Sequence, residues 1–447
     1  MYKKAFAILA VLVVVSMVLA ACAQPTQAPA ATQAPAATQA PAATQAPAAT
    51  QAPAGGEKVF KLGVMGPYTG PSALNGTEFK NAATMAFEAI NYKIGDYKIV
   101  PVWIDEQSDP AKTVQAYEQA IVQDKIQAGI LNWHSSDAVA AMDIAAKYKM
   151  PHFFGFGATE LVNEKYKSDP VKYSYWFGKT WPSPSKLSIA YVTTLEDAIK
   201  AGIYKPKEKT VYIWGEDTDW GRSFGNAIKK QFQDAGWKIV GEDYFDAAQT
   251  EFTPLLNKMK GLDPAVIAGT SAAPPAISAL IKQANSVGLK SLIVADGLGW
   301  IGDWYKMTGD ASDYVLDQIP QFASDKAKKW AADYKAKWGS EPSPSAAGQA
   351  FDMTNFFIKL AKRAIEATGE LSTASLYKIG TEELWTGKLV YTEGLIHARY
   401  EYNKDSVPDP VVGKGYFIFP VLQYFKGEGK IIWPEDWAGG NKLQVKP

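Results

Sequence analysis

The stretch Asn132-Trp133-His134-Ser135-Ser136-Asp137-Ala138 gathers a histidine, two serines and an aspartate, the residue types of a hydrolytic triad. A triad, however, brings its nucleophile, base and orienting acid together from distant segments. His134 and Ser135 are adjacent at a predicted strand-to-helix turn, where neighbouring side chains diverge, and the chain contains no G-x-S-x-G nucleophile elbow. Two readings of the stretch survive. Ser135-Ser136-Asp137 can cap the N-terminus of a following helix. The same geometry can seat an anion, because free backbone N–H groups, serine hydroxyls and the positive helix end converge there.

Other chemistry-bearing patterns fail on spacing. Gly178-Lys179-Thr180 ends like a phosphate-binding loop, but Tyr173 stands five residues earlier where glycine is needed. Ser183-Pro184-Ser185-Lys186 has the serine-lysine spacing of penicillin-recognising enzymes without their companion motifs. Asp217 and Asp219 open like a calcium loop, yet Ile228 holds the twelfth position, where a glutamate closes such a loop. His134, His152 and His397 are the only histidines and Cys22 the only cysteine, which argues against a zinc site and against thiol chemistry. With 46 basic and 46 acidic residues in balance, nothing favours nucleic acid as a partner. The 14 tryptophans suit a ligand pocket walled by aromatics as well as a core.

Any site must be positioned by the elements around it. Strand-like runs occur at 59–65, 99–105, 128–133, 151–156, 210–215, 265–270 and 291–296. Helical periods lie between them: Phe79, Ala83, Ala86, Phe87 and Ile90; Phe224, Ile228, Phe232 and Ala235 before Gly236; Ile277, Leu280, Ile281, Ala284 and Val287 before Gly288. Apolar strands alternating with amphipathic helices predict an α/β protein with parallel sheets covered on both faces. The alternation pauses at residues 178–186, read as a crossover between two similar doubly wound lobes, and ligands of such sheets bind at the carboxyl ends of the strands. Residues 416–425 and 430–434, separated by Gly427-Glu428-Gly429, predict a terminal β-hairpin.

The first residues have a different character. Lys3 and Lys4 precede an apolar run from Ala5 to Leu19 that is short for a membrane span, and Ala20-Ala21 precede Cys22. Residues 1–22 are expected to be a lipoprotein signal peptide, since Leu19-Ala20-Ala21-Cys22 resembles a bacterial lipobox whose cysteine becomes acylated. Residues 23–57 carry tandem ATQAPA repeats without a large apolar residue, expected to be a disordered tether that holds the body off a membrane. The remaining chain, about 390 residues, is long enough for two cores.

Several segments together resemble the type I solute-binding proteins of ABC importers, in the branched-chain amino acid and amide group. "KLGVMGPYTGPSALNG" is similar to that family's first strand and glycine-rich turn, and "DEQSDPAKTVQAYEQAI" to its second strand end and following helix. "WGEDTDWGRSFGNAIKKQFQDAGWKIV" is similar to the opening of its second lobe, and "PVLQYFKGEGKIIWP" to its terminal hairpin. The resemblance implies a type I periplasmic binding fold, with residues 58–180 and about 320–388 in lobe one, and 181–319 and about 389–440 in lobe two. It implies a hinge and a ligand in the interlobe cleft. The ligand carboxylate would be held by Ser135 and Ser136, with Gly157 or Thr159 from the next turn; Trp220 and Thr270 would face it from lobe two, and Asp296 would pair its ammonium. Asn75 stands where some relatives carry an aromatic, and Trp133 and Trp300 flank the matched turns. The implied protein is no enzyme and needs no cofactor or metal. It is an extracytoplasmic, monomeric, lipid-anchored binder of an amino acid or amide-like solute that serves an ABC permease. A sensory receptor domain, or a binder of an aromatic acid, urea or a short amide, uses the same frame.

Overall fold

The computed structural model describes residues 57–446. The expected signal peptide, Cys22 and the repeats up to residue 56 lie outside the described residues. Within these residues no helix is long and apolar enough to cross a membrane.

Two sheets form. The first contains β1 (Lys58–Gly66), β2 (Lys93–Ile94), β3 (Tyr97–Asp105), β4 (Ala128–Ile130), β5 (His152–Gly155) and β6 (Trp176–Lys179), in the order β2-β3-β1-β4-β5-β6. The second contains β7 (Thr210–Glu216), β8 (Lys238–Phe245), β9 (Val266–Thr270), β10 (Leu292–Asp296), β11 (Leu316–Gln318), β12 (Val421–Phe425) and β13 (Glu428–Trp433), in the order β13-β12-β11-β10-β9-β7-β8. Apart from β2 and the terminal hairpin the strands are parallel. Leaving β2 and the hairpin aside, the two orders match, each running outward from its first strand to both sides. This is the doubly wound α/β architecture read from the alternation.

All seven expected strands are present. Those not foreseen are β2, β6, β8 and β11, three of them four residues or fewer and β8 only half buried along most of its length, so none shows an apolar run. The helices bury the faces their periodicity announces: Phe79, Ala83, Ala86 and Phe87 on Ala73–Ala89, and Phe224, Ile228 and Phe232 on Asp219–Asp234. The hairpin turns one step earlier than its glycines suggest. Lys426 and Gly427 both adopt positive φ (49° and 83°), a two-residue turn matching strand twist, and Glu428 and Gly429 already belong to β13. The hairpin adds antiparallel strands to the second sheet through β11 and β12.

The helices Asp325–Trp338, Ala350–Thr368 and Thr373–Ile379 follow the second sheet in sequence, and Ala350–Thr368 packs on the first lobe against the helix Ala73–Ala89. Residues 389–402, assigned above to lobe two, pack there too. Asp352 accepts hydrogen bonds from the backbone of Leu395 (2.7 Å) and Ile396 (3.0 Å) and from the Tyr400 hydroxyl (2.8 Å). Their buried carboxylate anchor outweighs their sequence proximity to the hairpin. The chain therefore passes between lobes three times: after β6, after β11, and between Tyr402 and β12. The first and third connections are tied together, with the Lys179 amide donating to Pro408 O (2.7 Å) and the Tyr402 hydroxyl to Lys179 O (2.8 Å).

Candidate functional site

The site is built around the turn that follows β4. Asn132 staples this turn to the one after β5: its Nδ2 donates to His134 O (2.7 Å), its Oδ1 accepts from Gly157 N (3.2 Å), and its carbonyl accepts from Phe156 N (3.0 Å). Glu106, at the end of β3, accepts from the amides of Trp133 and His134 (3.1 Å each). The helix Ser135–Tyr148 thus starts at a braced turn. Its N-cap residue is His134 rather than a serine, and no side chain caps it. The first-turn N–H groups are left to point into the space before the helix.

The predicted residues fall into distinct places. Ser135 Oγ accepts from Thr159 N (3.2 Å), so its own hydrogen is free to donate. Ser136 Oγ accepts from Asp219 N (3.2 Å) across the cleft. Gly157 is required by packing: a Cβ there would lie 2.4 Å from the Ala138 Cβ, and its amide is already committed to Asn132. Thr159 caps the helix Glu160–Ser168 through Leu161 N. On the second lobe, Trp220 Nε1 donates to Thr270 Oγ1 (2.9 Å), and Thr270 Oγ1 donates in turn to Asp296 O (2.8 Å). Thr270 and Asp296 are register partners in β9 and β10, which sets this relay. The Asp296 carboxylate is turned away, accepting from the Tyr191 hydroxyl (2.7 Å). Burial and the nearby charge of Asp317 push its carboxyl well above the usual carboxylate range.

Between the lobes lies a pocket with about 330 Å³ of empty space, part of it open to solvent. Trp133, His134, Ser135, Phe156 and Ala158 line it from the first lobe, Trp220, Ala272 and Trp300 from the second, and Trp181 from the first connection. Of the predicted residues, Ser135 and Trp220 are brought together on its wall. Thr270 stands behind Trp220, and Ser136, Gly157, Thr159 and Asp296 are not among the lining residues. Direct bonds close the cleft around it: Ser72 Oγ to Ala272 O (2.8 Å), Asn75 Nδ2 to Trp300 O (2.9 Å) and Trp133 Nε1 to Ala272 O (3.3 Å). Asn75, where an aromatic was a possibility, is thus a cross-lobe clasp.

Sequence reasoning missed Trp181 and Ala272. Trp181 lies inside the segment read only as a crossover, and the high tryptophan count was its one available signal. It also missed a buried cluster beneath the seat. Donor atoms of Glu106, His134 and Asp137 lie within 4.8 Å of one another, close enough to hold a metal ion. Burial pushes Asp137 up to about 8, its two carboxylate oxygens having no hydrogen-bond partner among the described residues, and burial followed by the charge of Asp137 raises Glu106. Burial lowers His134 to about 4, keeping it neutral. Glu106 is occupied with backbone amides. The cluster reads as a support for the turn.

A cavity closed by two similar doubly wound lobes, with a helix N-terminus on one wall, is the arrangement of a two-lobed binding protein. The chain belongs to the periplasmic binding protein family, whose model matches residues 59–394. It is 25% identical over 365 residues to a leucine-, isoleucine-, valine-, threonine- and alanine-binding protein of Pseudomonas aeruginosa, covering 77% of this chain and 90% of that one. Its fold is shared with a solute-binding protein of an ABC transporter from Rhodopseudomonas palustris in complex with 3,4-dihydroxybenzoic acid (TM-score 0.67, 21% identity, 83% and 95% of the two chains). It is also shared with a leucine-binding protein from Thermotoga maritima (TM-score 0.65, 18% identity, 83% and 97% of the two chains). By family the protein is a periplasmic binding protein, and the relatives it matches are solute-binding proteins rather than enzymes.

Proposed function

We propose that the protein is the lipid-anchored, solute-binding component of an ABC importer, capturing an amino acid or related small carboxylate between its lobes and delivering it to the permease. The observation that carries this reading is the interlobe cavity, to which both lobes contribute side chains and which ends on the uncapped first turn of the helix Ser135–Tyr148. A carboxylate placed there meets free N–H groups, the Ser135 hydroxyl and the positive end of the helix. Trp220, held by Thr270, forms the facing wall. Asp296, placed by resemblance on the ligand ammonium, acts at one remove in this reading, through Thr270 and Trp220, because its carboxylate is engaged with Tyr191.

The relatives named for amino acids and the neighbour holding an aromatic acid agree with a carboxylate as the shared element. The lipobox-like Cys22 and the ATQAPA repeats that follow it in sequence suit capture near a membrane. The test is uptake. Mass spectrometry of protein purified without denaturation identifies the retained solute, and deletion of the gene should abolish high-affinity uptake of that compound. Unchanged uptake in the deletion strain rejects the importer role.

A further inference from the structure

The cavity wall is unusual in what it offers a cation. Four indoles and a phenyl ring surround the space: Trp133, Trp181, Trp220, Trp300 and Phe156. Trp300 is the hub, its ring centroid 5.6 Å from Trp133, 5.4 Å from Trp181 and 5.6 Å from Trp220, with interplanar angles of 88°, 62° and 51°. Such inclined rings form the corners of a cup. A flat aromatic ligand would want a parallel-walled slot, whereas a compact, roughly spherical group fits a cup.

The charges around the cup narrow the choice. His134 is the only titratable residue on the wall, and burial keeps it neutral. On the second lobe the candidates for a counter-ion are engaged elsewhere: Asp296 with Tyr191, and Glu216 with Ser271 Oγ (3.0 Å), Ala272 N (2.7 Å) and Thr218 Oγ1 (2.8 Å). On the first lobe Glu106 holds the Trp133 and His134 amides, and burial pushes the Asp137 carboxyl, within 4.8 Å of His134, up to about 8. A primary ammonium brings three N–H donors that must find acceptors once water is excluded. The lining side chains offer only Ser135 Oγ and His134 Nε2. A quaternary ammonium has no N–H to satisfy and is attracted by the faces of indole rings. Among the described residues no lysine or arginine sits over any of the four cavity indoles, whose other ring contacts are aromatic.

Two buried polar atoms belong to residues of the same wall. Trp300 Nε1 and His134 Nε2 have no hydrogen-bond partner among the described residues. Buried polar groups are seldom left so, and an oxyanion beside Ser135 would give the Trp300 indole N–H an acceptor. We propose that the solute is a small betaine, a carboxylate bearing a trimethylated ammonium, with its carboxylate at the first turn of the helix Ser135–Tyr148 and its cation within the tryptophan cup. The proposal rests on the interlobe cavity being the solute site.

Calorimetry on the purified full chain tests it with trimethylglycine, glycine, leucine, benzoate and 3,3-dimethylbutanoate. The last has the shape of trimethylglycine with carbon in place of the charged nitrogen. Trimethylglycine should bind about thirtyfold or more tighter than this neutral isostere, the ratio expected of a desolvated cation–π site, and glycine should bind far more weakly still. Trp181→Phe and Trp300→Phe, which keep an aromatic ring but weaken its negative face, should each lower affinity for trimethylglycine about tenfold; thermal unfolding without solute verifies that both variants fold. Equal affinity for trimethylglycine and its isostere overturns the cation cup. Binding of leucine or benzoate without trimethylglycine overturns the betaine and leaves the interlobe binding reading standing. Failure of the whole panel, with no small molecule retained by the native protein, overturns both.

Discussion

Asp409→Asn probes the tie between the first and third interlobe connections. Lys179 Nζ and Asp409 Oδ1 are 2.8 Å apart with neither side chain exposed, and Lys186 reaches the other carboxylate oxygen at 2.8 Å. Burial alone would raise the Asp409 carboxyl, but the charges of Lys179 and Lys186 and their hydrogen bonds outweigh it and hold it at about 2, against 3.8 for a free aspartate. That difference corresponds to ~2.5 kcal/mol of stability at neutral pH. The substitution keeps the shape and removes the charge. Lys179 then stays buried with Ala158 O (2.9 Å) and Asn163 Oδ1 (2.6 Å) as acceptors but without its counter-charge. Breaking one partner of a buried pair costs ~3–5 kcal/mol, and these remaining acceptors favour the lower end, ~3 kcal/mol. With ~390 residues at ~2.1 cal/mol/K each, unfolding entropy is ~0.8 kcal/mol/K, so the midpoint should fall by ~4 °C in calorimetry at pH 7. Because the folded value is depressed, the contribution is complete above about pH 4 and is lost as pH falls through about 2. The gap between parent and variant should therefore narrow at acid pH. Equal midpoints at pH 7, or a gap that stays constant down to pH 2.5, refute the reasoning.

Other outcomes follow from the site and the ends. Trp220→Ala removes a cavity wall and should weaken solute binding by ~2–4 kcal/mol, while Ser135→Ala removes one hydroxyl but leaves the helix N-terminus and should cost ~1–2; calorimetric affinities in the reverse order contradict the assigned roles. Gly157→Ala places a methyl against Ala138 where only 2.4 Å is available, so it should destabilise the protein by ~1–3 kcal/mol, read from its urea midpoint. Cys22→Ser should yield protein without acyl groups that leaves the membrane fraction, since stable anchoring needs two or more chains; a variant still lipid-modified by mass spectrometry negates the lipobox reading.

Much of the fold could be read along the chain because its signals are local. Phe79, Ala83, Ala86 and Phe87 share a helix face at fixed spacing, and the apolar runs of β1, β9 and β10 are long enough to stand out from their surroundings. Short strands such as β6 and β11 carry too few residues for a period, and only pairing with a neighbouring strand makes them strands. The seat before Ser135 was likewise local, since a turn and a helix start are set by adjacent residues. The opposing wall was not. Trp133, Trp181, Trp220 and Trp300 are separated by tens of residues, and their meeting depends on where two sheets end and how three connections cross. Direction, too, was decided only in three dimensions. Asp296 ends its strand as expected, yet Tyr191, from a helix about a hundred positions earlier, takes its carboxylate and leaves Trp220, held from behind by Thr270, to face the cleft. Residues 389–402 went to the first lobe because Asp352, buried there, needs the amides they bring. Spacing along the chain fixes which residues share a face; which faces meet, and which partner satisfies a buried polar group, is decided by contacts distant in sequence that no local pattern encodes.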